Sequence, residues 1–398
     1  MWKETCFLCT FASRFLVYMS NKNFHIIRLG CASIQADEIK IAACLQKNGL
    51  SLSAGIADAD FIIILTCGFS FKQYNDSIAK IKEINGDKKE SVKIWIGGCV
   101  PAINKNFIQE LPFEIDLIFA PRNFEKIINE YIEIQPALFQ TNNTAIDHNL
   151  GEVYPMRIIN GCTENCAYCV IKRAGGQALS QPIAKLEKEI RNIGSEIKCI
   201  SLVGEDIGAY GKDIDTNLEE LIKVIVQIHP KIKISFSTIH PKYFVQDFEM
   251  YTKIFTYRNV NPVLPVPIQS GSNKMLKLMK RNYDIDDVIR CFQIFISKFP
   301  DIRIQTDIMV GYPKETQDDF LLSKQIVEVL SRLSFLNCFK YDDVTALGNT
   351  VTEKEKRKRV DEIYEIFISS YKEKNNIQDD DALNCSFEKG DFSFNTNF

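Results

Sequence analysis

Three cysteines stand close together in the stretch GCTENCAYC, at Cys162, Cys166 and Cys169, and we call them the loop triad. Their C-x₃-C-x₂-C spacing supplies three thiolates, whereas structural zinc sites and ordinary cubane clusters use four protein ligands. Three thiolates can hold three irons of a [4Fe–4S] cluster and leave the fourth iron without a protein ligand. S-adenosylmethionine (AdoMet) suits that iron, because its amino and carboxylate groups can chelate it and bring the sulfonium close. A zinc site completed by a distant residue is the competing structural interpretation.

A second set of cysteines, Cys31, Cys67 and Cys99, follows three apolar segments, and we call it the strand-end triad. The segments FHIIRLG, DFIIILT and VKIWIGG have the composition of buried strands and are separated by helical patterns. Since the carboxyl ends of parallel strands meet at one edge of a sheet, these thiols are expected to converge. Packing stays the alternative for each of them, because cysteine is a common small apolar residue. Packing is also our interpretation of Cys44, which lies within a helical pattern.

The elements that must position these cysteines form two α/β units. In the first unit, an open parallel α/β domain, the helices are expected to end at Asn48-Gly49 and Asn85-Gly86. The strand pattern restarts at YPMRIIN and continues through six βα units to about residue 345. Six units are too few to close an eight-stranded barrel, so the second unit is predicted to be a partial (βα)6 TIM-like barrel. Function in such a barrel is expected at the carboxyl ends of the strands.

Polar loops follow four of the predicted barrel strands. The cysteine loop follows the first strand, GEDIGAYG the second, QSGS the fourth and GYPKET the fifth. Gly, Ser, Asp and Pro occur in loops of every kind, so this composition alone decides nothing. GEDIGAYG nevertheless places three glycines beside two carboxylates, which suits close approach of the backbone to a ribose or an amino group.

Composition limits the class of protein. With 398 residues, 45% hydrophobic and 25% charged, the chain is expected to be a soluble globular protein of two domains. The net charge of −3 supplies no global field that would hold a polyanion. Thirteen cysteines, an odd number, are too sparse for a disulfide framework and favour metal or redox chemistry in a reducing cytosol. Arg14 interrupts the apolar start of the chain, which argues against a signal peptide, and no later apolar run reaches the ~18–20 residues of a membrane span.

We divide the chain into five segments. Residues 1–22 are predicted to be an extension that the fold does not need, and residues 23–135 the first α/β domain with the strand-end triad. Residues 136–152 form a polar linker, residues 153–375 the partial barrel and residues 376–398 a short acidic tail.

At these motifs the chain resembles the radical AdoMet methylthiotransferases, which insert sulfur and a methyl group at unreactive C–H bonds. The resemblance covers about residues 24–375. It is carried by GCASIQADE, LTCGFSFKQYNDS, GGCVP, INGCTENCAYC, SLVGEDIGAYGKD, STIHP, PIQSGSNKMLKLMKRNYD and TDIMVGYPKET. LVGEDIGAYG is especially similar to the branch that modifies threonylcarbamoyladenosine in tRNA. The chain departs from the family's usual proline and arginine at Lys172 and Ala174, and from its usual histidine at Pro265.

The resemblance implies two [4Fe–4S] clusters and AdoMet as cofactors. The loop triad would hold the AdoMet cluster and act in catalysis, and the strand-end triad would hold an auxiliary cluster whose open iron carries the sulfur to be transferred. One AdoMet would methylate that sulfur, and a second would be cleaved to a radical that abstracts a substrate hydrogen. AdoMet contacts are expected from the backbone near Tyr168 and from Gly204, Glu205, Asp206, Ser237, Gln269 and Asp307. Each of these could instead be an ordinary loop or barrel residue.

The implied partners are a macromolecular substrate and an electron donor such as flavodoxin or ferredoxin, in the cytoplasm and without a membrane. Two other functions stay open: a radical AdoMet enzyme whose auxiliary cluster only transfers electrons, and a non-catalytic iron–sulfur or zinc module.

The last residues of the chain bear on which molecule accepts the methylthio group. Residues after 375 have neither the strands of the small barrel that often grips the macromolecule in this family nor its cationic surface. The basic run KEKRKR (354–359) is interpreted as a solvated first turn rather than an RNA grip. It opens an amphipathic helix whose predicted apolar stripe is Val360, Ile363, Phe367 and Tyr371. We therefore expect a peptide or protein side chain as acceptor, slightly ahead of a tRNA adenosine.

Overall fold

The computed structural model describes residues 22–47, 50–121, 123, 124, 126, 152–330, 333–343 and 345–375. The predicted extension, apart from Lys22, lies outside the described residues, as do the acidic tail, the predicted boundary at residue 135 and the linker up to residue 151.

A five-stranded parallel sheet forms the first unit, in the spatial order β2-β1-β3-β4-β5. Its strands are β1 (Asn23–Arg28), β2 (Ser51–Leu52), β3 (Phe61–Thr66), β4 (Lys93–Gly98) and β5 (Leu117–Ile118), connected by helices α1 (Ala32–Lys47), α2 (Phe71–Asp87) and α3 (Cys99–Ile103). All six residues of β3 are buried, as expected for a central parallel strand covered on both faces. The predicted open parallel α/β unit is confirmed.

One helix of this unit ends later than predicted. Helix α2 continues through Asn85 and Gly86 to Asp87, where the Lys88 N–H donates to the Ile84 carbonyl. Ile84 is buried in the core. Its burial favours a helical last turn despite the turn signal of Asn85-Gly86. Cys44, on α1, is buried in the core as predicted.

Six parallel strands form the second unit. They are β6 (Val153–Arg157), β9 (Cys199–Val203), β10 (Lys233–Phe236), β11 (Val263–Pro265), β12 (Arg303–Val310) and β13 (Leu333–Lys340). They pair as two three-stranded sheets, β10-β9-β6 and β11-β12-β13, and a parallel bridge from Ile234 to Val260 links the two. A short antiparallel pair, β7 (Ile159–Asn160) and β8 (Leu179–Ser180), flanks the cysteine loop. The predicted partial barrel is confirmed.

The helices of the second unit cover the outside of this sheet. They are α4 (Ile171–Gly175), α5 (Ile183–Arg191), α6 (Leu218–Ile228), α7 (Pro241–Gln246), α8 (Phe248–Ile254), α9 (Asn273–Leu278), α10 (Ile285–Lys298), α11 (Gln317–Val329) and α12 (Glu353–Asn375). Side-chain caps fix several starts: Ser272 accepts from the Met275 N–H, and Thr316 and Asp319 form a reciprocal capping box. These caps place the loops that precede α9 and α11 at the carboxyl ends of β11 and β12.

The predicted apolar stripe of helix α12 is confirmed, but our interpretation of its basic run as solvated is wrong for two residues. Ile363 and Phe367 are buried in the barrel core. Lys356 and Arg359, predicted to be solvated, are 1% and 6% exposed. Lys356 donates to the Tyr341 carbonyl, and Arg359 pairs with the buried carboxylate of Glu315 at 2.6 Å. Spacing alone did not separate these two from their exposed neighbours, because the partners come from distant loops.

The two units meet along α1, which packs against β6, while α3 packs against α4. Arg157 on β6 forms a buried ion pair with Asp37 on α1, and Lys40 lies 3.6 Å from Glu189 at the edge of the contact. Among the helices of the described segments, none is long and apolar enough to cross a membrane.

Candidate active site

The loop triad lies on the turn between β7 and α4. Gly161 opens the turn with φ of +74°, a value that favours glycine. The backbone is held in place because the Cys162 N–H donates to the Gly176 carbonyl at 3.2 Å and the Ala167 N–H donates to the Met279 carbonyl at 2.9 Å. The cysteine loop is therefore fixed from both sides of the barrel mouth.

The thiols of the loop triad act on one another electrostatically. Burial raises the pKa of Cys162 to about 12, with further contributions from Asp206, Cys169 and Cys166. Burial likewise raises the pKa of Cys169 to about 11, followed by the charge of Cys166. The thiols are partly exposed, so a cluster can reach them. Their role as cluster ligands stays a prediction.

The strand-end triad gathers at the carboxyl edge of the first sheet. Cys67 directly follows β3, and its N–H donates to the Ser77 hydroxyl at 3.1 Å, while Cys99 begins α3. Burial raises the pKa of Cys99 well above its usual value, and the charges of Cys67 and Cys31 raise it further. The sequence-based expectation of convergence thus matches the arrangement, and the assignment as ligands stays a prediction.

The thiols of neither triad surround a position for a single metal ion. In the part of the chain that the structure describes, no three Cys, His, Asp or Glu side chains are placed to hold one metal ion. A cubane cluster presents a separate iron to each thiolate, so its ligands need not meet at one point.

Three buried polar atoms at the barrel mouth have no hydrogen-bond partner among the described residues: Asp206 Oδ2, His240 Nε2 and Gln269 Oε1. Each residue follows the carboxyl end of its strand, β9, β10 or β11. An unsatisfied buried polar group costs about 1–3 kcal/mol, and a polar ligand at the mouth would remove that cost. The site therefore fits a small polar cofactor such as AdoMet beside the loop triad.

Backbone strain and burial mark the same place. Gln269 has φ of +65°, which is rare for a residue other than glycine and is typical of functional loops. Burial raises the pKa of Asp206 to about 6, against hydrogen bonds from the backbone N–H groups of His240 and Gly208. Burial also raises the pKa of Asp307 to about 6, opposed by Arg281 and by a hydrogen bond from Asn337.

The other predicted AdoMet contacts have partners within the chain. Ser237 donates to the Gly204 carbonyl at 3.5 Å, and Gly204 packs so closely on Ile159 that a side chain would not fit. The Glu205 carboxylate accepts from Arg157 at 3.1 Å and from the Gly161 N–H at 2.7 Å. These contacts support the cysteine loop, and direct contact with AdoMet stays a prediction for each residue.

Arg281 is a site residue to which the sequence analysis assigned no role. Its guanidinium is buried and lies 3.8 Å from the Cys166 sulfur and 2.8 Å from the Tyr168 hydroxyl, to which it donates. It also donates to the Pro267 carbonyl and to the Tyr283 hydroxyl, at 2.8 and 3.1 Å. Its guanidinium supplies a fixed, buried positive charge beside the loop triad. Arg281 lies within the quoted motif PIQSGSNKMLKLMKRNYD, but only the fold brings it to the cysteines.

Two lysines hold the cysteine loop from outside. Lys172, one of the positions that departs from the family pattern, donates to Asn165 Oδ1 at 2.7 Å and to the Thr163 carbonyl at 3.3 Å. Lys242 on α7 pairs with the buried carboxylate of Glu164 at 2.7 Å. The loop between Cys162 and Cys166 is thereby tied to α4 and α7.

Two family models match the chain. The radical SAM superfamily matches residues 156–324, and the uncharacterized protein family UPF0004 matches residues 23–120.

Three curated relatives are similar over most of their length. The ribosomal protein uS12 methylthiotransferase RimO of Fervidobacterium nodosum is 30% identical, over 87% of this chain and 83% of its own. The probable threonylcarbamoyladenosine tRNA methylthiotransferase of Methanocaldococcus jannaschii is 29% identical, over 87% and 81%. The tRNA-2-methylthio-N(6)-dimethylallyladenosine synthase of Carboxydothermus hydrogenoformans is 27% identical, over 87% and 84%.

Among solved structures, the cobalamin-dependent S-adenosylmethionine radical enzyme OxsB, with aqua-cobalamin and S-adenosylmethionine bound, has a TM-score of 0.52 and 13% identity. The match covers 89% of this chain and 57% of that enzyme. At this identity the likeness concerns the fold alone.

Proposed function

Because the chain belongs to the radical AdoMet methylthiotransferase family, we propose that it attaches a methylthio group to an unactivated carbon of a protein side chain. The enzyme is of the type that acts on tRNA or ribosomal protein, and it uses AdoMet and [4Fe–4S] clusters. The observation that supports methylthio transfer is the presence of two cysteine triads at adjoining edges of two α/β units.

The loop triad would hold the AdoMet cluster, and the strand-end triad the auxiliary cluster. When bound, the cluster and AdoMet supply a radical that can take hydrogen from an unreactive carbon. Arg281 holds a positive charge beside Cys166. Asp206 Oδ2 and Gln269 Oε1, which have no hydrogen-bond partner among the described residues, would contact AdoMet. In this proposal these residues bind AdoMet and orient it.

His240 adds a neutral polar contact at the same mouth. Burial, together with the charges of Arg281 and Lys242, lowers the pKa of His240 to about 2. Its Nδ1 accepts from the Lys242 N–H, so its Nε2 carries the proton and can donate to a ligand oxygen. The ring is held edge-on between Tyr243 and Tyr283.

The closeness of the two triads supports sulfur insertion over simple electron transfer. Helix α3, which begins at Cys99, packs against α4, which begins two residues after Cys169. Through Arg157, Glu205 is joined to Asp37 on α1 of the first unit, and its carboxylate also holds Gly161 beside Cys162. One substrate carbon at this junction would lie near both clusters, which transfer of a sulfur atom requires.

A protein acceptor is supported mainly by charge, because the relatives are named for both a ribosomal protein and tRNA. The relative at 30% identity is named for ribosomal protein uS12. The chain has a net charge of −3, and in its densest basic run Lys356 and Arg359 are committed to internal contacts. Phosphate contacts by RNA would need accessible cations instead. The reductant in this proposal is a flavodoxin or ferredoxin.

The test is a gene deletion, with the proteome and total tRNA nucleosides compared by mass spectrometry. We expect a peptide that is about 46 Da heavier, because a methylthio group replaces one hydrogen, to vanish in the deletion. It should return with the wild-type gene but not with Cys162→Ala. A methylthioadenosine derivative that behaves this way would identify tRNA as the acceptor instead, and the absence of both products would overturn methylthio transfer.

A further inference from the structure

A buried ion cluster joins the two α/β units beside both cysteine triads. Its centre is the Arg157 guanidinium at the end of β6, which is 3% exposed. Its Nε and Nη2 donate to the two carboxylate oxygens of Asp37 on α1, both at 3.0 Å. Its Nη1 donates to Glu205 Oε1 at 3.1 Å, and its Nη2 also donates to the Ser33 carbonyl at 2.5 Å.

Two arms of this ion cluster lead to residues that are close to cysteines in the sequence. Ser33 lies two residues after Cys31, in the first turn of α1. Glu205 uses its second oxygen to accept from the N–H of Gly161, the residue before Cys162. A chain of four groups, from Ser33 through Arg157 and Glu205 to Gly161, therefore connects the two triads.

We infer that Arg157 is a positioning residue for methylthio transfer, which sets the separation and orientation of the two triads through its contacts with Asp37 and Glu205. The inference rests on the proposed function for its consequence in catalysis. A guanidinium is suited to this role because its planar fork fixes both the distance and the angle of a carboxylate, whereas an ammonium fixes only a distance. A displacement of about 1 Å in a reacting geometry can reduce rates about 100-fold.

The simpler interpretation is that the ion cluster only stabilises the contact between the units. The chain offers a matched control for that interpretation. Lys40, also on α1, pairs with Glu189 at 3.6 Å across the same contact, with side chains 22% and 17% exposed. Glu189→Gln breaks this second ion pair between the units, away from the cysteines, and leaves an acceptor for the Tyr154 hydroxyl.

The experiment compares Arg157→Lys and Asp37→Asn with Glu189→Gln and wild type in the reconstituted enzyme. Arg157→Lys keeps the buried positive charge and removes the fork, and Asp37→Asn keeps the shape of the side chain. Three quantities are measured: iron per chain, the ratio of 5′-deoxyadenosine to methylthio product, and the magnetic interaction between the two reduced clusters by electron paramagnetic resonance. We expect both variants to keep wild-type iron, to raise the ratio about 10- to 100-fold and to change the magnetic interaction. Glu189→Gln should match wild type in all three.

Several outcomes would overturn the inference. A wild-type ratio and a wild-type magnetic interaction in Arg157→Lys and Asp37→Asn would show that the fork does not position the triads. Equal changes of the product ratio and the magnetic interaction in Glu189→Gln would show that the ion cluster only stabilises the contact between the units. Loss of iron in both variants would make Arg157 a requirement for cluster assembly rather than a positioning residue. If wild type forms no methylthio product, the proposed function fails, and the magnetic interaction still decides the role of Arg157.

Discussion

At the scale of single residues, each triad is proposed to hold its own cluster, so removal of one triad should leave the iron of the other. Replacing Cys31, Cys67 and Cys99 together by alanine should remove about half of the iron, because the other cluster keeps its three thiolates. Iron and sulfide analysis of anaerobically reconstituted protein measures the effect. Cys44→Ala is the control, since Cys44 is a buried core residue. Unchanged iron in the triple variant would return the strand-end triad to a packing role.

The same scale predicts a division of labour between the triads. Cys162→Ala should abolish formation of 5′-deoxyadenosine, because the electron must reach AdoMet through the cluster that binds it. Cys31→Ala should keep some 5′-deoxyadenosine while losing the methylthio product. Both products are quantified from one reaction by liquid chromatography and mass spectrometry. Equal loss of the two activities in Cys31→Ala would contradict separate roles.

At the scale of elements, α12 is attached to the barrel by charge as well as by its apolar stripe. Arg359 is 2.6 Å from Glu315, whose side chain is fully buried and also accepts from the Gly311 N–H at 2.6 Å. Arg359→Met should therefore destabilise the protein by about 3–5 kcal/mol, because it leaves a buried carboxylate without its cation. Urea unfolding measures the change.

The control for this prediction lies two residues earlier. Arg357 is exposed on the same helix, so Arg357→Met should change stability by no more than about 0.5 kcal/mol. If both variants lost equal stability, helix propensity or net charge would explain the effect, and the buried pair would not.

The start of α11 predicts a dependence on pH. Burial acts to raise the pKa of Asp319, but hydrogen bonds from Lys274, Thr316 and Ser272 outweigh it and hold that pKa well below its usual value. A carboxyl group with a lowered folded pKa stabilises the protein above its unfolded pKa of about 3.9 and loses this contribution as the pH falls further. Asp319→Asn should thus cost about 2 kcal/mol at pH 6 and less at pH 3. A difference in unfolding free energy that stays constant over this range would contradict the assignment.

At the scale of the whole molecule, charge predicts weak binding of RNA. With a net charge of −3, the protein should bind bulk tRNA only in the non-specific range, with a Kd of about 10⁻⁶–10⁻⁴ M at physiological salt. Fluorescence anisotropy with labelled tRNA, and with duplex DNA of equal length as the control, measures this. Submicromolar binding that is specific to tRNA and falls steeply with salt would favour the nucleic acid as acceptor.

Much of the architecture could be predicted from local patterns. The strands β1, β3 and β4 coincide with the three predicted apolar runs, and β3 is buried throughout. Cysteines follow each of these strands, so the edge where the strand-end triad gathers follows from topology. The loop triad is contiguous in the chain, and its spacing carries its chemistry without reference to the fold. Helix α12 was predicted from the spacing of Ile363 and Phe367.

What the tertiary structure alone decided concerns charged residues whose partners are distant in the chain. Arg157 and Asp37 are 120 positions apart, Arg281 and Cys166 are 115 apart, and Arg359 and Glu315 are 44 apart. From the sequence, a charged residue is predicted to be solvent-exposed, because its burial is tolerated only beside an opposite charge. No local sequence pattern shows which distant residue supplies that charge. The sequence by itself thus determined the two cysteine triads, the chemistry predicted for them and the strands that carry them, since these depend on near neighbours. The fold decided which cations lie beside the sulfurs and how the two triads are joined.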